Sequence, residues 1–520
     1  MGLLEIKNFN LSFGDKVIFK NANFVVNKGD KMGIVGVNGA GKSTLLKIIN
    51  KEMFYDTGTY EINSKIKLGY LDQQALIDSD KDVFDYLKES FQNLYDADKK
   101  LAETYEKMAF AKTDAELENL SNQTEKIMEY LQVNDFYSLD GKITRVADGL
   151  GISDFGLETK VRNLSGGQRA KVRLAKLLLE KPDIMLLDEP TNFLDVSHIE
   201  WLSNFLLNFD GTFVVVSHDE NFLTAVTNCI CDIDNQCITR YNVGFKQYLA
   251  SKALAKEQQQ KNYDRQQKKI DSMTKLIDRF RYKATKASMV QSRIKTLEKM
   301  EKIDKPTEHF KPTFLFNYKR LGSKILLEIE NLVIGYDKPL LKKPLNLVLE
   351  KGEKVAITGF NGIGKSTFLK TIAGIIPALG GTFKFATNVV IGYYEQELNF
   401  DEPNQTPLQY ILSEYPKLTE TEARSYLARC GINATHIKEP IKSLSGGEQC
   451  KIKICKLMLF PCNILILDEP TNHMDHNAME QLSVAIKKFD GTVLFVSHDT
   501  DFVKNNAQKI ISFEDLLQTK

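Results

Sequence analysis

Two glycine-rich segments carry the residues best suited to chemistry. Residues 36–43 read Gly-Val-Asn-Gly-Ala-Gly-Lys-Ser, and residues 359–366 read Gly-Phe-Asn-Gly-Ile-Gly-Lys-Ser. Each segment follows an apolar run and precedes a stretch that reads as a helix. Glycines let backbone N–H groups turn toward a phosphate, and the start of a helix adds positive potential. Each segment therefore predicts a loop that binds the phosphates of a nucleotide.

The side chains of these loops have distinct predicted roles. Lys42 and Lys365 should reach the β- and γ-phosphates, whereas Ser43 and Ser366 should bind Mg²⁺. The predicted nucleotide-binding residues of the loops are Gly36, Asn38, Gly39, Gly41, Lys42, Ser43 and Thr44, and Gly359, Asn361, Gly362, Gly364, Lys365, Ser366 and Thr367.

An acidic pair ends each of two apolar runs that read as buried parallel strands, at Asp188-Glu189 and at Asp468-Glu469. Ligands of α/β proteins bind at the carboxyl ends of such strands. We expect Asp188 and Asp468 to hold Mg²⁺ through water and the two glutamates to polarise the attacking water. The alternative, an acidic pair without function, is disfavoured by the phosphate loops.

Histidine and aromatic residues repeat in the same order. His218 and His498 each end another apolar strand, which suggests that they sense the γ-phosphate. Phe13 and Tyr336 each precede a loop glycine by 23 residues and could stack on adenine. Because aromatic residues are common in strands, packing in the core is the alternative for these two.

The chain contains an internal repeat with two insertions. The phosphate loops are offset by 323 residues, whereas the Asp-Glu pairs and histidines are offset by 280, so the first copy holds 43 extra residues. This extra material lies within residues 93–138, is acidic, and reads as two antiparallel helices joined near residues 111–114. A solvated insertion without a partner is the alternative to a functional arm.

The second insertion lies between the copies, at about residues 245–310. Residues 251–305 hold sixteen Lys and Arg against seven Asp and Glu, so they carry a charge of +9 in a chain of net charge +1. The absence of Gly and the heptad-like apolar spacing predict a long helical hairpin. Basic excess on a helix with interleaved aromatic residues favours RNA contact over a merely solvated face. The candidate RNA contacts are Arg279, Arg281, Lys283, Lys286 and Arg293.

The bulk properties are those of a protein with several domains. The 520 residues are 42% hydrophobic and 26% charged, and one core does not grow to this size. No apolar run is long enough to span a membrane, and the first ten residues lack a secretory signal. We therefore expect a cytoplasmic protein. Its seven cysteines lack the spacing of a metal site and are expected to be reduced.

Further motifs carry a resemblance to a known family. Residues 164–168 read Leu-Ser-Gly-Gly-Gln, and residues 444–448 read Leu-Ser-Gly-Gly-Glu. With the phosphate loops, Gln73, Gln396, the Asp-Glu pairs and the histidines, they are similar to ATP-binding-cassette domains. The arm and the basic linker resemble those of the ABC-F translation factors. The resemblance implies an α/β fold of two tandem P-loop NTPase cassettes, at residues 1–244 and 311–520, that hydrolyse ATP.

In that family the two cassettes close head to tail, so each nucleotide is shared, and they open after hydrolysis. The resemblance implies that Gln73 and Gln396 join the catalytic glutamates and histidines. It also assigns Ser445, Gly446, Gly447 and Glu448 to the nucleotide of Lys42, and Ser165, Gly166, Gly167 and Gln168 to that of Lys365. Two departures put the equality of the sites in doubt: Phe193 stands opposite His473 of the second copy, and Glu448 stands opposite Gln168.

The resemblance implies a monomer that binds the ribosome, through rRNA and tRNA, at the exit site. Its linker would point toward the peptidyl transferase centre. Some relatives protect ribosomes from antibiotics, but the short linker tip favours a general factor. The alternative is the tandem ATPase subunit of a membrane transporter, which does not need a basic hairpin between its cassettes.

Overall fold

The described residues of the first copy form nine strands. In the computed structural model, all residues are described except 1, 15, 38, 64–65, 72–78, 112, 281–286, 301–310, 361, 397–398, 473 and 517–520. The strands are β1 (Gly2–Phe13), β2 (Lys16–Asn27), β3 (Lys31–Gly36), β4 (Thr57–Ile62), β5 (Leu68–Leu71), β6 (Ile184–Asp188), β7 (Thr212–Val216), β8 (Cys229–Asp234) and β9 (Cys237–Tyr241).

These strands form two sheets. The larger has the order β5-β6-β7-β3-β8-β9 and is parallel except for β9, whereas β2-β1-β4 is antiparallel. Every residue of β6 and β7 is buried, which explains their continuous apolar runs. Because β6, β7 and β3 are neighbours, the ends that carry the Asp-Glu pair, the histidine and the phosphate loop meet at one edge.

The described residues of the first copy also form eight α-helices. They are α1 (Lys42–Ile49), α2 (Val83–Lys88), α3 (Gln92–Ala109), α4 (Asp114–Val133), α5 (Leu139–Gly149), α6 (Gly166–Glu180), α7 (Val196–Leu207) and α8 (Glu220–Val226). Helices α3 and α4 form the arm. Leu94, Leu101 and Leu131 are buried within it, and the Tyr105 hydroxyl contacts Met128 Sδ at 3.2 Å. The acidic insertion is therefore a helical hairpin, as its sequence predicts.

The described part of the linker contains the helices α9 (Phe245–Phe280) and α10 (Ala287–Glu298). Phe245 and Tyr248, in the first turn of α9, are buried in the core of the first copy. Lys252, one turn further, pairs with Asp232 of β8 at 2.5 Å. The linker is thus anchored at its start, while most of its described side chains are exposed.

The second copy repeats the architecture without an arm. Its strands are β10 (Ile325–Val333), β11 (Leu345–Glu350), β12 (Lys354–Thr358), β13 (Gly380–Phe385), β14 (Ile391–Tyr394), β15 (Ile464–Asp468), β16 (Thr492–Val496) and β17 (Lys509–Ser512). Its helices are α11 (Lys365–Ile372), α12 (Pro407–Glu414), α13 (Glu420–Arg429), α14 (Gly446–Leu459), α15 (His476–Lys488) and α16 (Thr500–Asn506). The sheets are β14-β15-β16-β12-β17 and β11-β10-β13. The predicted α/β tandem with an arm and a helical linker is confirmed.

Candidate active sites

The first phosphate loop joins β3 to α1. Gly41 is the N-cap of α1 and has a φ of 99°, where a Cβ would lie 2.6 Å from Ile18 Cγ2. Lys42 Nζ donates to the carbonyl oxygens of Gly36 at 2.9 Å and Val37 at 3.4 Å. Burial lowers the pKa of Lys42, and Glu189 opposes this shift. The loop thus holds a buried ammonium group beside the N-terminus of a helix, which suits a phosphate chain.

The second loop has the same geometry between β12 and α11. Gly364 is the N-cap with a φ of 105°. Lys365 Nζ donates to the carbonyl oxygens of Gly359 at 2.5 Å and Phe360 at 3.0 Å. Burial lowers the pKa of Lys365 as well. Asn38 and Asn361, predicted for the two loops, lie outside the described residues.

Oxygen atoms converge beside the second loop. The Ser366 hydroxyl donates to Asp468 Oδ1 at 3.0 Å and lies 3.5 Å from Gln396 Oε1. The other carboxylate oxygen of Asp468 is buried and has no hydrogen-bond partner among the described residues. Burial raises the pKa of Asp468 to about 6, and the hydrogen bond from Ser366 opposes this. Mg²⁺ prefers such oxygen ligands and is held by one or two carboxylates plus substrate phosphates, so these residues fit it.

A glutamate and a histidine meet in each copy. Glu469 accepts from the backbone N–H of His498 at 3.2 Å, and His498 Nε2 lies 3.1 Å from its other oxygen. The corresponding distances between Glu189 and His218 are 3.3 Å and 3.5 Å. Both glutamates have a left-handed backbone, with φ of 48° and 49°. A non-glycine residue holds such angles only where its surroundings compel it, often at active sites.

Burial shifts the pKa values of the groups in these glutamate–histidine pairs. Burial raises the pKa of Glu189 and of Glu469 to about 8, although the nearby loop lysine opposes the shift in each case. Burial likewise lowers the pKa of His498 to about 3, so its imidazole is neutral at physiological pH. A neutral imidazole can share one hydrogen bond with the carboxyl group without adding charge. Gln73, expected to join this group in the first copy, lies outside the described residues.

One cavity of about 1240 Å³ lies between the copies. From the first copy it is lined by the phosphate loop, Glu189 and His218. From the second it is lined by Ser445, Gly446 and Gly447 at the start of α14. The structure therefore brings the Lys42 loop and the signature of the other copy to the same cavity.

At the Lys365 site, Asp195 of the first copy reaches across the interface. Its carboxylate lies 4.0 Å from Nδ1 of His498. The position of Ser165, Gly166, Gly167 and Gln168 opposite Lys365 remains a prediction. Phe13 and Tyr336, the candidate adenine contacts, are half-exposed or more at 49% and 63%. Their rings are not buried in the core, so the alternative of core packing does not hold.

Comparisons with known proteins agree with this geometry. A family model described as ABC transporter matches residues 19–192 and 342–472. A second model with the same description matches residues 231–316, a range that contains the whole linker. The uncharacterized ABC transporter ATP-binding protein YfmM of Bacillus subtilis is 42% identical over 96% of each chain.

A plant relative decides the subfamily. ABC transporter F family member 5 of Arabidopsis thaliana is 32% identical over 98% of this chain and 75% of its own length. The chain belongs to the ABC-F family. Its fold is also similar to an archaeal ribosome recycling factor, aABCE1, solved with the ribosomal stalk protein aP1, with a TM-score of 0.60, 18% identity, and coverage of 97% of this chain and 87% of that one.

The two copies are therefore the cassettes of an ABC-F protein, and the chain is an ATPase. Among the described residues, none of the helices has the length and apolar character needed to cross a membrane. Phe193, which stands opposite His473, packs beside Gly167: a Cβ on that glycine would lie 3.4 Å from the ring. His473 itself lies outside the described residues.

Contacts between the cassettes of this ABC-F protein include residues that the sequence analysis missed. Asn221 Nδ2 donates to Asp501 Oδ2 at 3.2 Å, and His476 Nδ1 lies 3.3 Å from Glu220 Oε1. Asn221 and Asp501 are equivalent positions, since they differ by the repeat offset of 280. Two equivalent positions of the repeat are therefore in direct contact across the interface. The sequence signal that could have revealed this contact is an amide and a carboxylate at equivalent positions of the repeat.

Proposed function

We propose that this ABC-F ATPase binds the ribosome at the exit-site region in its ATP-closed form and modulates translation through its linker. The observation that carries the proposal is the long, exposed, basic helical linker rooted in the first cassette. Helix α9 has 36 residues, so it extends about 54 Å at 1.5 Å per residue. Arg279 and Arg293 are both exposed on it and on α10.

Charge and rigidity together favour RNA as the partner of the linker. RNA phosphates would neutralise the +9 charge of residues 251–305. Because the helix is already formed, few groups lose conformational freedom when it binds. Arg281, Lys283 and Lys286 are further candidate contacts, although they lie outside the described residues. Two structures of similar fold are an archaeal ribosome recycling factor, aABCE1, and ABCE1 bound with archaeal Pelota to the ribosome. The short linker tip expected from the sequence favours a general translation factor over one that protects ribosomes from antibiotics.

The proposed catalytic roles follow from the two glutamate–histidine pairs. Glu189 and Glu469 accept a proton from the attacking water, while His218 and His498 hold the carboxylates in place. When bound, Mg²⁺ offsets the charge of the phosphate oxygens, and the residues that would hold it are Ser43 with Asp188 and Ser366 with Asp468. Lys42 and Lys365 contact the terminal phosphates in both sites.

We further propose a division of the chain into two cassettes, an arm and a linker, and a monomeric assembly. We assign residues 1–244 and 311–520 to the cassettes, residues 93–138 to the arm and residues 245–310 to the linker. The chain acts as a cytoplasmic monomer that closes its own two cassettes. The contacts of Asn221 with Asp501 and of Glu220 with His476 support closure within one chain.

Replacing Glu189 and Glu469 together by Gln tests the catalytic part. Loss of a positioned general base slows turnover by about 10²- to 10⁴-fold, while ATP binding is retained. The double variant should accumulate in the closed form on ribosomes and inhibit translation. Steady-state phosphate release and nucleotide binding are measured beside a control with exposed Glu158 and Glu439 changed to Gln. Unchanged phosphate release in the active-site double variant would remove these glutamates from the mechanism.

The linker is tested by sedimenting that trapped protein with ribosomes across a salt series. If six to ten cations contact phosphates, affinity should fall by roughly 10³- to 10⁵-fold between 50 and 200 mM salt, by analogy with DNA. Changing Arg279, Arg281, Lys283, Lys286 and Arg293 to Gln should weaken binding and flatten the salt dependence.

The control for that experiment removes the same charge elsewhere, by changing five exposed lysines of the second cassette to Gln: Lys384, Lys417, Lys438, Lys504 and Lys509. Equal binding by both five-site variants would contradict a specific role of the linker. Sedimentation with membrane vesicles instead of ribosomes would favour the transporter alternative.

A further inference from the structure

The signature serine of the second cassette is engaged by a carboxylate. The Ser445 hydroxyl donates to Glu448 Oε2 at 2.8 Å, and the Ser445 backbone N–H donates to the same oxygen at 3.0 Å. The other oxygen of Glu448 contacts Nδ1 of His436. The side chains of His436 and Glu448 are only 13% and 19% exposed. His436, Glu448 and Ser445 therefore form one chain of contacts that ends at the cavity of Lys42.

The first cassette has neither member of this acid–histidine pair. With the repeat offset of 280 residues, Gln168 stands opposite Glu448 and Gly156 stands opposite His436. Gln168 Oε1 accepts from the Ser165 backbone N–H at 2.9 Å, and the Ser165 hydroxyl accepts from the Gln168 backbone N–H at 3.3 Å. Both serine hydroxyls accept from the backbone N–H three residues further on, but the Ser445 hydroxyl in addition donates to a carboxylate.

The difference has a chemical consequence for a bound nucleotide. A serine hydroxyl carries one hydrogen and can donate it once. Ser445 must therefore release Glu448 before it donates to a terminal phosphate, whereas no such exchange is needed at Ser165. The carboxylate also places negative charge beside the position of the phosphate, and like charges repel.

We propose that Glu448, held by His436, makes the Lys42 site the slower of the two ATP sites. The inference rests on the proposed pairing of Ser445 with the nucleotide of Lys42. Glu448 accepts the hydroxyl hydrogen of Ser445 and so withholds it from the nucleotide. His436 is a positioning residue that fixes the Glu448 carboxylate. The two cassettes have diverged at both positions together, so the asymmetry is carried by a matched pair of side chains.

Single-site backgrounds make the proposal testable in the full chain. Glu469→Gln leaves the Lys42 site active, and Glu189→Gln leaves the Lys365 site active. In the Glu469→Gln background, Glu448→Gln should raise the single-turnover hydrolysis rate about tenfold, because it frees the donor of Ser445 from a charged acceptor. In the Glu189→Gln background, the change that Glu448→Gln causes in the hydrolysis rate of the Lys365 site should be at least tenfold smaller. The reciprocal Gln168→Glu change should slow the Lys365 site.

His436 is tested through its dependence on Glu448. His436→Ala should raise the rate at the Lys42 site by less than Glu448→Gln does, because the freed carboxylate holds Ser445 for less of the time. When Glu448 is already Gln, His436→Ala should change that rate by less than twofold. An equal effect in both backgrounds would show that His436 acts independently of Glu448 and would overturn its role. Thermal unfolding midpoints report whether any variant merely loosens the fold.

Two outcomes separate this inference from the proposed composite site. If Ser445→Ala leaves hydrolysis at the Lys42 site unchanged, the composite site itself fails. If Ser445→Ala slows that site but Glu448→Gln does not accelerate it, the composite site stands and the acid–histidine inference is overturned.

Discussion

At the scale of single residues, the active sites depend on backbone angles that few side chains tolerate. Gly41 and Gly364 have φ of 99° and 105°, and each immediately precedes the lysine of its loop. Glu189 and Glu469 occupy left-handed angles without being glycine. The buried environment that raises the pKa of these carboxylates also excludes water that would screen them. Left-handed backbone angles and burial thus coincide at the positions that the proposed mechanism assigns to the phosphate and the attacking water.

Gly41 provides a test of the steric part of this argument. Gly41→Ala should destabilise the protein more than Gly39→Ala, although both glycines have positive φ. At Gly41 a Cβ would meet Ile18 Cγ2 at 2.6 Å and Phe19 Cζ at 2.9 Å, whereas at Gly39 it would meet nothing within 4 Å. Strain costs each variant about 1–2 kcal/mol, and overpacking adds about 1–3 kcal/mol for Gly41→Ala. Urea unfolding measures the difference, and equal destabilisation would contradict the close packing.

At the scale of elements, the linker helix is joined to the strand beside the first phosphate loop. Asp232 lies on β8, which pairs with β3, and Ile233 is the partner of Gly36 in that pairing. Lys252 of α9 contacts Asp232, whose side chain is only 4% exposed. Burial and the neighbouring Asp232 raise the pKa of the Tyr248 phenol well above its usual range. The start of α9 and the predicted phosphate loop are therefore both in contact with β8.

The contact of Lys252 with Asp232 predicts that two ion pairs of α9 contribute differently to stability. Lys252→Met leaves the buried Asp232 carboxylate without its cation and should cost about 1–3 kcal/mol. Lys261→Met removes an exposed pair with Glu257 and should change the stability far less, because solvent screens exposed pairs. Amide hydrogen exchange at the start of α9 and on β8 reports both changes. Similar exchange in the two variants would show that the Asp232 contact does not anchor the linker.

At the scale of the whole molecule, catalysis is proposed to require both cassettes in one closed arrangement. The interface joins Asn221 to Asp501 and Glu220 to His476, and the cavity of the first loop is completed by the start of α14. Asp195 of the first cassette approaches His498 of the second. Each proposed site thus receives residues from the partner cassette.

The shared cavity predicts an effect between residues far apart in sequence. Gly447 lines the cavity of Lys42, so Gly447→Asp should place a carboxylate against the nucleotide phosphates and abolish hydrolysis at that site. In the Glu469→Gln background, single-turnover hydrolysis should fall at least about 10²-fold, as expected for loss of transition-state contacts. Gly167→Asp in the same background is the matched control and should slow this site far less. Equal losses would contradict head-to-tail pairing.

The sequence by itself determined the fold class and the chemistry of each cassette. Glycines at fixed spacing, a lysine at a helix start and an Asp-Glu pair after an apolar strand are local signals, so they are readable without tertiary structure. The arm and the linker were likewise visible, because helical periodicity and charge are properties of contiguous residues. The contacts of Asp195 with His498, of Asn221 with Asp501 and of His436 with Glu448 were decided only by the tertiary structure. Each joins residues separated by many positions, and a side chain finds such a partner only when packing of the sheets and cassettes has fixed the distance between them.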